Sequence, residues 1–395
     1  MGKDLSVTAF AAGVLAAFVG FAGSFAIVVQ GLYGVGANAA EAASGLMVLA
    51  VSMGLCAIFL ALKTRMPISV AWSTPGAAFL ATLTPVEGGF PVAVGAFIIT
   101  ALLIIVAGLW KSFGRVISAI PTPLASAMLA GVLLPLCLAP FEAIAEIPQV
   151  GLPIILVWLV VARFKRVLAV PAAVFVAAVL IVTVFEIDIA QIEYLWSYPV
   201  FVAPSFTASG LIGIALPLFI ITMAGQNITG IAVLNSFGFR PDAGVMFGWT
   251  GLFSLASAPF GAHAVNLAAI TTAICAGEEA HPDPGKRYWA AVIGGITYII
   301  FGLTAGAAIG FISISPPILI AAVAGLALFG ALSASLVTAM SSETDREAAL
   351  ITFLVTASGI SFFGIGGVFW GLLAGGAMYL WDHRKSKSDL NDPAL

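Results

Sequence analysis

The chain reads as an all-α polytopic membrane protein of about 14 transmembrane segments in a 7+7 inverted repeat, with segments 3 and 10 each a short extended stretch plus a half-helix. Three observations lead there. Of 395 residues, 61% are hydrophobic and 8% charged, at a mean hydropathy of +1.14, whereas a soluble domain carries about 25% charged residues. Apolar runs of roughly 17 to 25 residues, the length of a helix across a hydrocarbon core about 30 Å thick, recur from one end to the other. The basic residues sort to one side when those runs are taken as alternating crossings. No separate soluble domain fits.

In chain order, Lys3 precedes an apolar stretch that runs from near Ala9 past Val29. That is too long for the h-region of a cleaved signal, so it counts as the first segment. The segments then fall near 8–30, 44–62, 67–83, 91–110, 121–140, 150–163, 168–184, 209–236, 243–258, 259–276, 288–309, 316–340, 348–365 and 367–381. With a cytoplasmic N-terminus, one side receives Lys3, Lys63, Arg65, Lys111, Arg115, Arg163, Lys165, Arg166, Arg240, Lys286, Arg287, Arg346, Arg384, Lys385 and Lys387, which are all the Lys and Arg in the chain. The opposite loops hold Glu41, Glu87, Glu142, Glu146, Glu186, Asp188 and Glu193 and no basic residue. This positive-inside pattern predicts that both termini are cytoplasmic. Cys56, Cys137 and Cys275 are scattered through apolar runs and read as packing residues, neither a disulfide framework nor a metal site.

A weak internal repeat supports the halves. P-L-A-S-A-M-L-A-G at 123–131 matches P-I-L-I-A-A-V-A-G at 317–325, and F-A-G-S at 21–24 resembles M-A-G-Q at 223–226. Both separations are close to half the chain. Seven segments per half is odd, so the second half enters with opposite topology, an arrangement typical of secondary transporters with a substrate site near the bilayer midplane.

Segment 3 contains A-W-S-T-P-G-A-A-F-L, residues 71–80. Ser73 and Thr74 offer helix N-caps and Pro75 suits the first helical position, so a helix is expected to begin mid-segment after an extended stretch. Segment 10, from Pro259, repeats the pattern with Asn266 as its cap candidate. Such irregular backbone is tolerated at membrane depth only where it is buried in protein or lines a cavity. Two facing half-helix N-termini present free N–H groups to an anion. A charge at the bilayer centre costs at least about 2.5–3.5 kcal/mol on insertion scales, while one terminus contributes about 0.3–1 and at most about 2 kcal/mol. Two termini with hydroxyl and amide donors can therefore hold one carboxylate, which matters because no Lys or Arg falls within a segment except Arg163 at the very end of the sixth. Ordinary capping without a ligand is the alternative use of Ser73, Thr74 and Asn266.

P-I-S-V-A-W-S-T-P-G-A-A at 67–78 and the run N-L-A-A-I-T-T-A-I-C-A-G-E-E-A-H-P-D-P-G-K-R-Y-W-A-A at 266–291 resemble the benzoate/proton symporter family, BenE, and the likeness extends over essentially the whole chain. That family is similar in fold to nucleobase and ascorbate transporters. The resemblance implies a core domain from 1–114 and 208–311, a gate domain from 115–207 and 312–382, and a cytoplasmic tail at 383–395. It also implies uptake of benzoate with a proton across the inner membrane, and dimerisation through the gate. The implied partners are a small aromatic carboxylate, a proton and the lipid bilayer, with no cofactor, metal or nucleic acid. Acidic residues that the nucleobase relatives keep in segments 8 and 10 do not carry over, since Gln226, Asn227, His263 and Asn266 stand there.

The expected substrate-binding residues are Ser73, Thr74, Gly76, Gln226, Asn227, Asn266 and Leu267, with Phe21, Phe25 and Trp72 placed to sandwich a benzene ring. The amide pair in segment 8 must face protein, water or ligand. His263 is the ionisable side chain within a segment and the proton-coupling candidate, since histidine titrates in the relevant range; alternatively the proton rides on the substrate carboxylate. Importing a lone monoanion against a negative interior costs about 2.3 kcal/mol per 100 mV, which one proton cancels. Glu278, Glu279 and the 341–347 run read as solvated loop charges. A planar weak acid such as a nucleobase, and an anion channel built on the same helix ends, are the competing readings. A membrane-embedded enzyme lacks support, because no segment carries an acid/base pair, a Cys/His pair or a metal-ligand cluster.

Overall fold

A computed structural model describes residues 6–84, 87–110, 121–185, 197–362 and 365–389. Lys3, Lys111, Arg115, Glu186, Asp188 and Glu193, the 114/115 boundary and the end of the tail lie outside them, as do the side chains of Arg384, Lys385 and Lys387. Each apolar segment read from the sequence holds a helix or a strand–helix unit. In order these are α1 (Val7–Ala22) and α2 (Phe25–Gly34), α3 (Ala39–Thr64), β1 (Val70–Trp72) with α4 (Thr74–Ala81), α5 (Phe90–Leu109), α6 (Thr122–Glu146), α7 (Pro148–Phe164) and α8 (Ala169–Val184). There follow α9 (Ala208–Ser236), α10 (Ala243–Ser257), β2 (Val265–Leu267) with α11 (Ile270–Ala276), α12 (Tyr288–Leu303) with α13 (Ala305–Ile314), α14 (Pro317–Ala339), α15 (Arg346–Ala357) and α16 (Gly367–Asp389). A short ribbon, β3 (Ser361–Phe362) with β4 (Ile365–Gly366), joins the last two helices. Among the described residues, seven helical stretches are long and apolar enough to cross a membrane, and the pair formed by Pro284–Leu303 and Ala305–Ile314, bent by 51°, makes an eighth.

Several elements depart from plain apolar helices. The first segment breaks at Gly23–Ser24, where Ser24 leaves the helical region at φ −152° and ψ 2°. Segment 8 is one continuous helix, but it widens into π turns at Leu211–Ala215 and Met223–Asn227. Such turns insert an extra residue and often mark functional positions. The basic start of the expected tail is not loose chain, since α16 continues through it to Asp389.

Helix ends follow local chemistry. Asn38 and Glu41 close a capping box at the start of α3, through bonds of 3.0 and 2.8 Å. Small residues allow close helix packing where apolar side chains gain nothing over lipid. A Cβ on Gly54 of α3 would lie 2.4 Å from the Gly295 carbonyl oxygen of α12, so these backbones meet directly.

The packing falls into two groups. In one, α3 lies against α12, α10 against α5, α1 against α11 and α12, and α9 against α4 and α5, with β1 paired to β2. In the other, α6 packs on α14, α7 on α8, and α15 on α16 and α6.

Candidate functional site

The two half-helices are built as the sequence pattern expects, with one correction. Ser73, fully buried, caps α4 by accepting a hydrogen bond from Gly76 N–H at 3.0 Å, Thr74 is the first helical residue, and Pro75 follows within the first turn. Asn266 caps nothing. It lies in β2, opposite Ala71 of β1, and α11 begins three residues after that strand with Ala269 at its cap position and no side-chain cap. The reason lies in the pairing. The register Val70↔Leu267, Ala71↔Asn266, Trp72↔Val265 holds segment 10 extended through Leu267, and Ala268 N–H continues to Ser69 O at 3.0 Å.

Asn227 and Asn266, both buried, are engaged with each other. Asn227 Nδ2 donates to Asn266 Oδ1 at 3.3 Å, Asn227 Oδ1 accepts from Leu267 N–H at 3.0 Å, and Asn266 Nδ2 donates to Ala264 O at 3.2 Å. The amides thus fasten the π turn of α9 to β2. Gln226, one position earlier, points elsewhere: it is half-buried and lines a cavity of about 750 Å³. The polar pair of segment 8 is thereby split, one amide holding the scaffold and one facing the open space.

That cavity lies between the two packing groups and is of the size that holds small molecules. Its wall includes Trp72, Thr74 and Pro75 from the first half-helix and Ala268, Ala269, Ile270 and Thr271 from the second, so both helix starts meet it. Ser24 and Gly23 contribute from the α1–α2 break, and Gly225 and Gln226 from the π turn. The opposing group supplies Ser126 of α6, Trp158 of α7 and Ser335 and Thr338 of α14. Among the described lining residues Arg166 is the one ionised side chain and no acid is present. The side-chain hydroxyl of Thr74 and the amide of Gln226 find no hydrogen-bond partner among the described residues, which leaves both open to a ligand.

The aromatic residues are arranged differently from a sandwich. Trp72 lines the cavity and its Nε1 donates to Ser24 Oγ at 2.8 Å, which donates in turn to Gly20 O at 2.9 Å. Phe21 packs against Trp72 with centroids 5.4 Å apart and a 56° tilt, and stacks on Phe25 at 5.7 Å. A ring held between two others needs about 7 Å between planes, so Phe21 and Phe25 back the tryptophan and leave no slot between them. Gly76 and Leu267 are also off the cavity. A Cβ on Gly76 would meet Leu218 Cδ1 at 2.7 Å, which is the close approach of α4 to α9. His263 is fully buried, edge-on to Phe97 at 6.3 Å, with neither ring nitrogen hydrogen-bonded and no share in the cavity wall.

Sequence reasoning missed Arg166, Trp158, Ser126 and Thr271. The last stands in a run already singled out, where Thr271 Oγ1 pairs with Ser69 Oγ at 2.8 Å. Trp158 and Ser126 lie in segments with no local irregularity to flag them, and Arg166 reads in sequence as one more basic residue of a loop.

Comparison with known proteins decides the family. The family model described as BenE, benzoate membrane transport protein, matches residues 3–380. The chain belongs to the BenE family. Within it, the chain is 39% identical over 373 residues to the inner membrane protein YdcO of Escherichia coli (strain K12), covering 93% of this chain and 94% of that protein. It is 31% identical over 377 residues to the benzoate membrane transport protein of Acinetobacter baylyi (strain ATCC 33305 / BD413 / ADP1), covering 95% of each. This BenE chain is a multi-pass membrane protein of a transport family, not an enzyme. Its fold resembles the transmembrane domain of a cyanobacterial bicarbonate transporter, BicA, at a TM-score of 0.60 and 15% identity over 95% of this chain and 98% of that one. It also resembles the murine Slc26a9 anion transporter in the inward-facing state at 0.60 and 14%, over 96% of this chain and 69% of that one.

Proposed function

We propose that this chain is a secondary transporter that imports an aromatic carboxylate, benzoate in the first place, by proton symport with alternating access. The observation that carries this reading is the cavity where two half-helix starts, Thr74 and Gln226 converge. Donor groups there are uncharged and unengaged, and Leu129, Val170 and Ile220 give the wall an apolar surface for a ring. A carboxylate accepts hydrogen bonds from hydroxyl and amide donors, and bonds to a charged acceptor are the stronger kind. Membership of the BenE family and a relative named for benzoate transport support the substrate.

Fourteen segments in a 7+7 inverted repeat are supported by reciprocal packing. The contact of segment 2 with 11 is mirrored by that of segment 9 with 4, segment 1 with 10 by segment 8 with 3, and segment 5 with 13 by segment 12 with 6. Residues 1–114 and 208–311 form the core domain in this reading, and 115–207 with 312–382 the gate, through which a homodimer forms. The sorted Lys and Arg support a cytoplasmic location for both termini of an inner-membrane protein. The cavity wall then runs toward Thr122, Arg166 and Thr338, all at helix ends that are cytoplasmic in this reading, which supports an inward-open conformation.

The proton travels on the substrate in this reading, because the described cavity wall has no acid or histidine to carry it. Uptake of radiolabelled benzoate into proteoliposomes, with and without an inward proton gradient, tests the function. Saturable accumulation above equilibrium that collapses with the gradient supports symport; rapid equilibration without accumulation would make the protein a channel.

A further inference from the structure

The inner end of the cavity presents uncharged donors, and its one ionised lining side chain stands elsewhere. Arg166 lies on the 3-10 turn Arg166–Leu168 between α7 and α8. Val167, Val170 and Pro171 line the same cavity, so the turn itself forms part of the wall. Neighbouring basic residues Arg163 and Lys165 do not share the lining.

Four arginines are engaged, whereas Arg163, exposed and without a partner among the described residues like Arg166, stands off the cavity wall. Arg65 donates to the Tyr288 hydroxyl, Arg240 to Asn235 O and Phe239 O at 3.1 Å each, Arg287 to His281 O at 2.7 Å and Ala276 O at 2.8 Å, and Arg346 pairs with Glu343 at 3.8 Å. Those side chains fix loops and helix ends. For the exposed guanidinium of Arg166 the described residues supply neither an acceptor nor a carboxylate.

Trp158 of α7 lines the cavity as well and is braced edge-on against Phe329 of α14 at 5.3 Å. A planar fork of N–H donors and an aromatic wall on one vestibule match the two halves of an aromatic carboxylate. Resting on the transport reading above, we propose that Arg166 is the carboxylate-binding residue of the cavity's cytoplasmic mouth, the second stop of the imported anion on its way from the inner site to water. During import it receives the anion from the uncharged inner site at Thr74 and Gln226 and releases it to water, and in the reverse direction, which the test below reads, it is the first to meet it. An exposed charge suits this role because it raises the local anion concentration and is screened by salt, so the hold on the substrate stays weak enough for release.

The test is initial-rate transport of radiolabelled benzoate across proteoliposomes sorted by orientation, measured from the Arg166 face at low and at raised ionic strength. Wild type is compared with Arg166→Gln, Arg166→Lys and Lys165→Gln, each scaled to correctly inserted protein. The expected result is a KM about tenfold higher for Arg166→Gln with kcat within about twofold, and a salt dependence that is lost with the charge. Arg166→Lys retains the salt dependence and Lys165→Gln behaves as wild type. An Arg166→Gln protein with wild-type KM and wild-type salt dependence overturns the proposal, as does an equal loss in Lys165→Gln, which would mark a general surface-charge effect. Wild-type protein that carries no benzoate sinks the transport reading and this proposal with it, whereas active wild type with an unaltered Arg166→Gln sinks this proposal alone.

Discussion

Asn227 and Asn266 are bound to each other, not poised for a ligand: a 3.3 Å amide–amide bond and a 3.0 Å bond from Leu267 N–H to Asn227 Oδ1 tie the π turn of α9 to strand β2. Removing one partner strands buried donors, at about 1–3 kcal/mol for each group left unsatisfied. Asn227→Ala should therefore lower the thermal midpoint of the purified protein as well as its transport rate. Asn227→Asp can donate to Asn266 only while its carboxyl is protonated, so its midpoint should fall as pH rises while that of wild type does not. Thermal melts across a pH series check both.

Ser73 and Thr74 are adjacent but do different work. Ser73 is buried and satisfies Gly76 N–H, whereas Thr74 faces the cavity. Ser73→Ala should cost about 0.5–2 kcal/mol of stability through the lost cap. Thr74→Val keeps the shape of the side chain and should raise the KM for benzoate while leaving the midpoint close to wild type. Paired melts and uptake kinetics separate the two.

His263 packs edge-on to Phe97 away from the cavity wall. If the proton rides on the substrate, His263→Gln should retain gradient-driven uptake with the wild-type pH profile. Loss of the proton response with benzoate exchange intact would instead assign the coupling to this histidine.

The backbone contact of Gly54 with Gly295 has no room for a side chain. Gly54→Leu should separate α3 from α12 and abolish folded protein, since overpacking a tight contact costs about 1–3 kcal/mol and often more where the obstacle is backbone. Size-exclusion chromatography of the expressed variant reports it directly.

Much of this arrangement was legible because the sequence breaks its own pattern where the fold does. The hydroxyl–proline–glycine cluster at Ser73–Gly76 marked a mid-segment helix start, and the weak match of 21–24 with 223–226 falls on the α1–α2 break and the π turn, which both line the cavity. The placement of Asn266 was not legible, because strand pairing with β1, a contact nearly 200 residues away in sequence, overrides its capping propensity. Gln226 and Asn227 were found together, but only the π turn decides that one faces the cavity and the other the strand. Trp158 and Arg166 carry no local signal, since what makes them notable is the cavity formed by distant helices.

In the proposed function an aromatic carboxylate occupies the cavity between the half-helix starts. Equilibrium binding of radiolabelled benzoate to purified wild type, Thr74→Val and Gln226→Leu tests it most directly. Binding to wild type should be saturable and should weaken about tenfold or more in each variant, as expected for loss of one hydrogen bond to a charged group. Wild-type affinity in both variants, with folding intact, would place the carboxylate elsewhere and contradict the claim.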